Sequence, residues 1–382
     1  MDISPHEKTY RERIEEDLQE KMVLVSGPRQ VGKTTLAKTI AGSKGTYYNW
    51  DYFEHRDSIL KNIWPKTKSI LVLDEIHKYR KWRNLVKGLY DVNKDHLSIL
   101  VTGSAKLDIY RRGGDSLQGR YHLYRMHPFT IQELGGNKNA WKDLFTLGGF
   151  PEPFLRGSEL KANRWRKEYR SLLIREELTA LEDFKDLGSI ELLAIRLPSS
   201  IASPLSINAI REDLQVAHKT AEKWIQGLES LYYCYTIPPF GSSKIKSVKK
   251  EKKLYLWDWS SVEEKGPRFE NMVGSHLLKL IHLREDSFGE DWNLCFYRDW
   301  EKREVDFILV KNGKPFCFIE CKLSETNIDP SLKYLKNKFP KVPSYQLTHQ
   351  AEKSYSSKEG IIVMDAFDFF KTEISELIYS LT

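Results

Sequence analysis

The stretch KMVLVSGPRQVGKTTLAKTIAG, residues 21–42, carries the strongest structural signal in the first third of the chain. Its apolar run from Met22 to Val25 predicts a short buried strand, and residues 34–41 predict a helix. The loop between them has the spacing GxxxxGK(S/T). Glycines let successive backbone N–H groups turn toward a phosphate, and the start of the helix adds a positive dipole end. The stretch therefore predicts a phosphate-binding loop in an α/β fold with a parallel sheet.

The side chains that follow the second glycine of this loop suit a nucleotide and its metal ion. Lys33 would reach the β- and γ-phosphates, and Thr34 would give its hydroxyl to Mg²⁺. The loop residues that we predict to contact the nucleotide are Gly27, Pro28, Arg29, Gln30, Val31, Gly32, Lys33, Thr34 and Thr35.

A second apolar run, residues 70–73, ends in the adjacent carboxylates Asp74 and Glu75. Four apolar residues in a row suit a strand that is covered on both faces, so Asp74 would emerge at its carboxyl end. There Asp74 would hold the water shell of Mg²⁺, and Glu75 would orient and polarise the attacking water. Adjacent carboxylates are common on solvated loops, so the prediction of hydrolysis depends on their occurring together with Lys33.

Hydroxyl and basic side chains follow a third apolar strand, residues 98–102. Ser104 would sense the γ-phosphate, or it would only cap a turn. Downstream, Arg112, Arg120 and Arg125 are candidates to meet the charge that develops on the phosphate. A solvated basic face is an equal alternative for each arginine, and the sequence does not choose among them.

Four segments together give a family resemblance. GPRQVGKTT, LVLDEIHKY, the VTGS strand, and the segment from Gly119 to HPFTIQEL are similar to the AAA+-related ATPases of the archaeal and bacterial STAND-like group. The resemblance covers residues 10–134 and implies that ATP and Mg²⁺ bind here. It also implies that Pro128 packs against adenine and that the segment around Arg120 lies near the phosphates. Chains of this kind often continue into a nuclease-like C-terminal half.

Composition and charge limit the possible classes of protein. The chain has 382 residues, 40 % apolar and 30 % charged, so two or three globular domains are expected. It lacks a run of eighteen apolar residues and an apolar signal core, and its four cysteines fit no zinc or disulfide framework. We therefore expect a reduced, cytoplasmic protein without a membrane span. The net charge is +7, but residues 261–382 hold 17 Lys/Arg against 20 Asp/Glu, so the positive excess that permits DNA binding lies upstream.

The middle of the chain predicts a helical segment followed by a winged helix. Residues 136–198 are rich in helix formers and would form a lid or connector. Residues 199–262 show two helices and two strands in winged-helix order. The hairpin connector, residues 241–253, holds six lysines and one glutamate. With Lys219 and Lys223 on the second helix, these lysines would follow a DNA backbone. The alternatives are a solvated loop on a module that only joins domains, and a module that contacts protein.

The C-terminal part contains the hairpin EVDFILVKNGKPFCFIECKLSE, residues 304–325. Its two apolar runs flank an Asn-Gly turn, yet they carry charges where a buried strand would have apolar residues. A two-residue turn alone places Asp306 and Glu320 on opposite faces. A three-residue loop, or one bulge, pairs Asp306 with Glu320 and puts Lys322 on the same face.

In the second of these registers the hairpin resembles the PD-(D/E)XK nuclease superfamily. Asp306, Glu320 and Lys322 match its three signature positions, although Val305 stands where the family has proline. Two carboxylates would bind Mg²⁺ or Mn²⁺ and lower the pKa of a bound water that Lys322 positions, and Glu270 would complete the ligand set. The alternatives are a degenerate nuclease fold that only binds DNA, and an exposed edge strand with ordinary charges.

These expectations combine into an ATP-regulated enzyme that acts on DNA. The alternatives are a nucleotide-controlled switch that binds DNA or protein without cleavage, and a remodelling ATPase that works as a homo-oligomeric ring. The predicted catalytic residues are Glu75, Asp306, Glu320 and Lys322, and the predicted metal ligands are Thr34, Asp74, Glu270, Asp306 and Glu320. The predicted domains are a P-loop ATPase (1–135), a helical connector (136–198), a winged helix (199–262) and a nuclease-like α/β domain (263–382).

Overall fold

The computed structural model describes residues 5–43, 45–64, 69–104, 117–179, 184–241, 251–324, 327–350 and 353–380. The chain divides into two compact units, Met1–Phe129 and Thr130–Thr382. Within the described ranges, none of the helices is long and apolar enough to cross a membrane.

Unit 1 alternates helices and strands. Its elements are α1 (Pro5–Asp17), β1 (Met22–Ser26), α2 (Lys33–Ala41), β2 (Thr46–Asn49), α3 (Phe53–Leu60), β3 (Ser69–Asp74), α4 (Trp82–Asn93), β4 (Leu97–Thr102) and β5 (Tyr121–Arg125). The five strands form one sheet in the order β2-β3-β4-β1-β5, and every neighbouring pair is parallel. The expected α/β fold with a parallel sheet is confirmed.

The burial of its strands explains why this sheet forms. All five residues of β1 and the last four of β3 are buried, as expected for central strands that are covered on both faces. Leu73, Ile99 and Val101 share a core with Trp82 and Val86 of α4. Because the strands are parallel, the polar residues that follow them meet at one edge of the sheet, which we call the carboxyl edge.

Unit 2 begins with helices and a hairpin. Its first elements are α5 (Lys138–Leu147), α6 (Pro151–Arg156), α7 (Glu159–Leu172), α8 (Leu187–Arg196), α9 (Ile207–Asp213), α10 (His218–Ser230), β6 (Cys234–Ile237) and β7 (Lys253–Leu256). Four of the helices begin after a side chain that caps a backbone N–H, namely Asn137, Ser158, Asp186 and Ser206. The two strands pair antiparallel. The two helices and two strands predicted for this segment are present, and their assembly as a winged helix stays a prediction. Residues 242–250 of the lysine-rich connector lie outside the described residues.

The rest of unit 2 is a six-stranded mixed sheet with helices. Its elements are α11 (Lys265–Phe288), β8 (Trp292–Arg298), β9 (Glu304–Lys311), β10 (Lys314–Lys322), α12 (Pro330–Lys338), β11 (Ser344–Thr348), β12 (Tyr355–Ser356), β13 (Ile361–Asp365), α13 (Ala366–Asp368) and α14 (Ile374–Ser380). The strand order is β12-β13-β11-β10-β9-β8. The meander β8-β9-β10 is antiparallel, and β10, β11 and β13 are parallel to one another.

Helix α11 is held tightly against both the sheet and the hairpin. A Cβ atom at Gly274 would lie 2.8 Å from Cζ of Phe307 on β9, so only glycine permits this approach. Asn271 accepts a hydrogen bond from the Leu256 backbone N–H at 2.9 Å and donates one to its carbonyl oxygen at 2.8 Å. These contacts fix β7 beside the helix that carries Glu270.

Candidate nucleotide site and carboxylate cluster

The loop between β1 and α2 has the backbone conformation that its glycines predict. Gly27 has a φ of +149°, and a Cβ atom there would lie 2.3 Å from the carbonyl oxygen of Met126. Gly32, at φ +104°, immediately precedes α2, so the positive end of that helix faces the loop. The buried Lys33 Nζ donates to the carbonyl oxygens of Gly27 at 2.9 Å and Pro28 at 2.6 Å. The loop thus has the glycines and the ammonium group that a phosphate site requires.

Asp74, at the end of β3, is the centre of the polar residues at the carboxyl edge. Its carboxylate accepts hydrogen bonds from Thr34 Oγ1 at 2.8 Å, Tyr47 OH at 2.6 Å and Thr102 Oγ1. Sequence reasoning missed Tyr47, because only the strand order shows that Asn49 of β2 pairs with Asp74 and brings Tyr47 close. Burial and the neighbouring Asp74 raise the pKa of Tyr47 above its ordinary value.

Glu75 lies next to Asp74 in a conformation that non-glycine residues rarely adopt. Its φ is +56°, and its backbone N–H donates to the carbonyl oxygen of Thr102 at 3.0 Å. Lys78 Nζ lies 3.1 Å from the Glu75 carboxylate. Burial raises the pKa of Glu75, although Lys78 and Lys33 oppose the shift. Such backbone outliers cluster at functional sites, and a raised pKa suits a proton acceptor.

Two further predicted contacts, Ser104 and Pro128, also follow strand ends. Ser104 comes two residues after β4 and lies 3.3 Å from Nε2 of His77. Pro128 is buried and lies three residues after the end of β5. Two residues before it, the Met126 N–H donates to the carbonyl oxygen of Ser26 at 2.8 Å. Both residues are therefore on the side of the sheet where the loop lies.

Arg120 is not at this site, which corrects the expectation that it lies near the phosphates. It precedes β5, at the opposite ends of the strands and about 16 Å along the strand from Arg125. Its guanidinium binds Asp91 through two hydrogen bonds, of 2.7 and 3.2 Å. Arg125, in contrast, pairs with Ser26 at the carboxyl edge. The third candidate, Arg112, lies outside the described residues.

The nucleotide site fits Mg²⁺ as well as phosphate. The Thr34 hydroxyl and the Asp74 carboxylate are in contact, and both are oxygen ligands of the kind that Mg²⁺ takes. Asp74 is only 1 % exposed, and the three hydrogen-bond partners of its carboxylate among the described residues are neutral hydroxyl groups. Its negative charge is therefore available to a cation that arrives with the nucleotide.

In unit 2, the hairpin β9–β10 has the register that brings Asp306 and Glu320 together. The turn is the two-residue one, but the register shifts after Pro315 because one residue bulges. Pairing then runs to Ile319 opposite Phe307, so Glu320 follows opposite Asp306. The Asp306 backbone N–H donates to the Glu320 carboxylate at 3.3 Å. Of the registers that the sequence left open, the one with a bulge is observed.

Lys322 lies beside Glu320, as the alternation of the strand predicts. Its Nζ donates to Oε1 of Glu320 at 2.8 Å and to Oδ2 of Asp329 at 3.0 Å. Burial opposes ionisation of this lysine, but Glu320 and Asp329 raise its pKa overall. Burial and the neighbouring Asp306 raise the pKa of Glu320 well above its ordinary value.

A second lysine, which sequence reasoning assigned to the DNA-contacting connector, lies among the other carboxylates. Lys253 Nζ is 2.6 Å from Glu304, 3.0 Å from Glu270 and 3.1 Å from Asp306. Burial and Asp306 raise the pKa of Glu270 to about 7, although Lys253 opposes the shift. We call Glu270, Glu304, Asp306 and Glu320 the carboxylate cluster. The sequence signal that could have revealed the position of Lys253 is that it begins an apolar strand, where a lysine needs a buried partner.

The carboxylate cluster does not fit a divalent metal as it stands. An ammonium group already contacts Glu270 and Asp306, and another contacts Glu320. Within the described ranges no three His, Cys, Asp or Glu residues are placed to hold a metal ion. The expected ligand set of Glu270, Asp306 and Glu320 is thus brought to one place but is not assembled around a metal position.

The predicted DNA-contacting lysines on α10 are accessible. Lys219 and Lys223 are exposed and lie four residues apart, hence on one side of the helix. The Lys223 ammonium is 5.4 Å from the ring centroid of Phe184. Helix α10 can therefore offer positive charge to a partner.

Comparisons with protein families agree with the nucleotide site. Residues 19–135 match the AAA domain family. Residues 138–262 and 265–368 match two domains of unknown function, DUF8612 and DUF4143. The prediction of an AAA-type P-loop ATPase is therefore confirmed: unit 1 carries an AAA-type ATPase domain, the protein is an ATPase, and such a domain implies bound nucleotide and, usually, Mg²⁺.

The chain is also similar to proteins of bacteria and archaea. An uncharacterized protein of Mycobacterium tuberculosis is 22 % identical over 335 residues, which cover 82 % of this chain and 73 % of the relative. An uncharacterized protein of Methanocaldococcus jannaschii is 25 % identical over 301 residues, which cover 63 % of this chain and 61 % of the relative.

Two solved structures resemble the chain only distantly. The Aeropyrum pernix ORC1 protein in complex with DNA has 15 % identity and a TM-score of 0.33, over 76 % of this chain and 94 % of that one. A Signal Transduction ATPase with Numerous Domains protein from Pyrococcus horikoshii has 14 % identity and a TM-score of 0.23, over 73 % and 47 %. TM-scores this low do not establish a common fold.

Proposed function

We propose that this protein uses ATP binding and hydrolysis to control an action on DNA. The observation that carries the nucleotide half is the contact set of Asp74 with Thr34 and Thr102 beside the glycine loop. The DNA half is supported by the exposed Lys219 and Lys223 and by the positive excess of the first two thirds of the chain. The protein's location is proposed to be the cytoplasm.

In this proposal the residues of unit 1 have separate roles. The Lys33 ammonium exchanges the loop carbonyls for the β- and γ-phosphate oxygens of ATP. Thr34 and Asp74 would hold Mg²⁺, which would neutralise charge on the phosphates. The Glu75 carboxylate orients the attacking water, and its raised pKa makes it a better proton acceptor. Ser104 senses the γ-phosphate, and Pro128 packs against adenine.

The nucleotide half is tested with Lys33→Ala. Removing the ammonium should lower kcat for ATP hydrolysis about 10²–10³-fold, the size seen when one group that stabilises transition-state charge is lost. Lys94→Ala is the matched control, because this lysine is exposed and directly follows α4, near the opposite ends of the strands. ATP turnover that is unchanged in Lys33→Ala would refute the assignment of the loop.

The DNA half is tested by charge reversal on α10. The double variant Lys219→Glu/Lys223→Glu should bind duplex DNA at least about tenfold more weakly. The slope of its log binding constant against log salt concentration should be smaller by the amount that about two lost phosphate contacts account for. Lys353→Glu/Lys358→Glu makes the same change of net charge at other exposed positions and should bind almost normally. Equal losses in both variants would mean that α10 has no special role.

Metal-dependent phosphodiester cleavage by a PD-(D/E)XK-like domain is the second candidate function. It is favoured by the bulged register that brings Asp306 and Glu320 together beside Lys322. It predicts nicking of DNA by the full chain with Mg²⁺ or Mn²⁺, lost in Asp306→Ala. If the full chain cuts neither duplex, branched nor single-stranded DNA with either metal, the C-terminal domain is better explained as a module that binds without cleaving.

A remodelling ATPase would instead work as a homo-oligomer with an arginine supplied by a neighbouring copy. Mass measurement in solution with and without ATP separates this function from a monomeric switch.

A further inference from the structure

Lys253, the first residue of β7, is a fully buried lysine among three carboxylates. Its side chain has an exposure of 0 %, and its Nζ lies 2.6–3.1 Å from Glu304, Glu270 and Asp306. Lysine is almost never fully buried without a partner. Part of the remaining negative charge is offset by Arg298, whose Nη1 is 2.7 Å from Glu304. The carboxylate cluster therefore has its own cation.

The backbone holds Lys253 in this position. Its partner on β6 is Ile237, and Pro204 forms a further bridge to it. Three residues along the strand, Asn271 of α11 makes two hydrogen bonds to the backbone of Leu256. The same helix carries Glu270, whose carboxylate also accepts a hydrogen bond from Tyr255 OH at 2.7 Å. The contact between the ammonium and the cluster is thus built into elements that are bonded to each other.

This ammonium and a divalent metal would use the same oxygen atoms. Oε1 of Glu270 and Oδ1 of Asp306 are the atoms that Lys253 contacts, and Oε1 of Glu320 is bound by Lys322. Mg²⁺ requires oxygens at about 2.0–2.1 Å in near-octahedral geometry. A dication placed there would also lie beside a buried positive charge, where water screens repulsion poorly. Lys253 must leave before a metal can enter.

We propose that the Lys253 ammonium is the resident cation of the carboxylate cluster and takes the place of a divalent metal. In the chain as it folds, the cluster is then an ion-pair lock between β7 and the six-stranded sheet, and it binds metal only when Lys253 is removed. This inference goes beyond the ATP-controlled action on DNA and does not depend on it. It excludes the metal-dependent cleavage named above as the second candidate function, because that function needs a metal in the chain with Lys253 present.

Manganese binding to the full, nucleotide-free chain tests the proposal. Bound Mn²⁺ is counted by electron paramagnetic resonance in the wild type, in Lys253→Met and in Lys253→Met/Asp306→Asn. Methionine keeps most of the lysine volume without its charge, and Lys353→Met is the matched surface control. We expect one additional Mn²⁺ per chain in Lys253→Met, bound at least tenfold more tightly than any in the wild type and lost in the double variant.

Two results would overturn the proposal. One is a Mn²⁺ site in the wild type that Asp306→Asn removes, and the other is a folded Lys253→Met protein that gains no such site. If Lys253→Met does not fold, thermal unfolding of wild type and Asp306→Asn with and without Mn²⁺ still decides the matter. A ligand that binds the folded chain raises Tm, so the two proteins should show equal shifts with Mn²⁺, and a larger shift in the wild type would refute the lock.

Discussion

The two acidic sites of this chain differ in what their carboxylates contact. Asp74 in unit 1 accepts hydrogen bonds from three hydroxyl groups, which satisfy its oxygens without cancelling its charge. In unit 2, Glu270, Asp306 and Glu320 are bound by the ammonium groups of Lys253 and Lys322. The first arrangement keeps a negative charge for an incoming cation, whereas the second already contains its cations.

The lysines of the two sites differ in the same way. Lys33 contacts two neutral carbonyl oxygens, which it can exchange for phosphate at little cost. Lys253 contacts buried carboxylates, and removing one member of a buried ion pair costs about 3–5 kcal/mol. Lysines and carboxylates therefore form a site prepared for a ligand in one unit and a structural ion-pair network in the other.

The largest effect that tests this comparison is expected for Glu75→Gln. The amide keeps the shape of the side chain but cannot accept a proton, so kcat for ATP should fall about 10²–10⁴-fold, the usual contribution of a general base. The affinity for ATP, measured by equilibrium binding, should change less than threefold, because Glu75 contacts water and not nucleotide in this proposal.

Glu54→Gln on the exposed face of α3 is the matched control, because the same substitution is made outside the site. A Glu75→Gln protein that turns over ATP within threefold of the wild-type rate would remove Glu75 from the catalytic residues and leave Asp74 with only a binding role.

An intermediate effect is expected for the pH dependence of Glu270→Gln. Glu270 has a pKa of about 7 in the folded chain, above its ordinary value, because of its burial and of Asp306. Between about pH 4.5 and 7 the folded state therefore binds this proton more tightly than the unfolded state, so the free energy of unfolding decreases as pH rises through this window. Glutamine does not titrate. The free energy of unfolding of Glu270→Gln should therefore rise relative to that of the wild type by about 2 kcal/mol between pH 5 and pH 8.

Urea unfolding at the two pH values measures this difference. The transition to follow is the one whose midpoint ATP leaves unchanged, because ATP binds unit 1 and Glu270 lies in unit 2. Glu290→Gln is the control with the opposite pKa shift, because hydrogen bonds from Arg284 lower the pKa of Glu290 to about 2. Glu290 is ionised in the folded state throughout pH 5 to 8 and mostly ionised in the unfolded state, so its difference from wild type should change by only about 0.2 kcal/mol. A constant difference for Glu270→Gln would mean that the ammonium of Lys253 keeps Glu270 ionised over the whole range.

Much of unit 1 could be predicted from the sequence because its signals are local. The spacing of Gly27, Gly32 and Lys33 specifies a loop whose conformation glycine alone allows, and an apolar run that ends in Asp74 specifies a central strand end. Tyr47 could not be predicted, because its contact with Asp74 depends on which strand lies beside β3. The prediction that Arg120 lies near the phosphates was wrong for a related reason. A resemblance in sequence does not show at which end of a strand a residue lies.

The carboxylate cluster shows the limit more clearly. Counting residues along the hairpin gave the alternatives for Asp306 and Glu320 and showed that either a three-residue loop or one bulge would bring them together, of which the bulge is observed. Lys253 is far from both in the chain, and it was counted with the solvated lysines of its connector. The side chain of Lys253 reaches the cluster only because β7 pairs with β6 and is hydrogen-bonded to α11.

The smallest effect is expected for Arg120→Ala, which tests whether function in unit 1 is confined to the carboxyl edge. Arg120 lies at the other ends of the strands and is bound to Asp91, so kcat and KM for ATP should stay within about twofold of wild type. Arg125→Ala, at the carboxyl edge, is the informative comparison in the same assay. A tenfold or greater loss of ATP turnover in Arg120→Ala would contradict the statement that the residues of one carboxyl edge suffice for hydrolysis. An arginine at the opposite ends of the strands can reach a phosphate only in another copy of the chain. The loss should then depend on protein concentration, and mixing Arg120→Ala with Lys33→Ala chains should restore part of the ATP turnover.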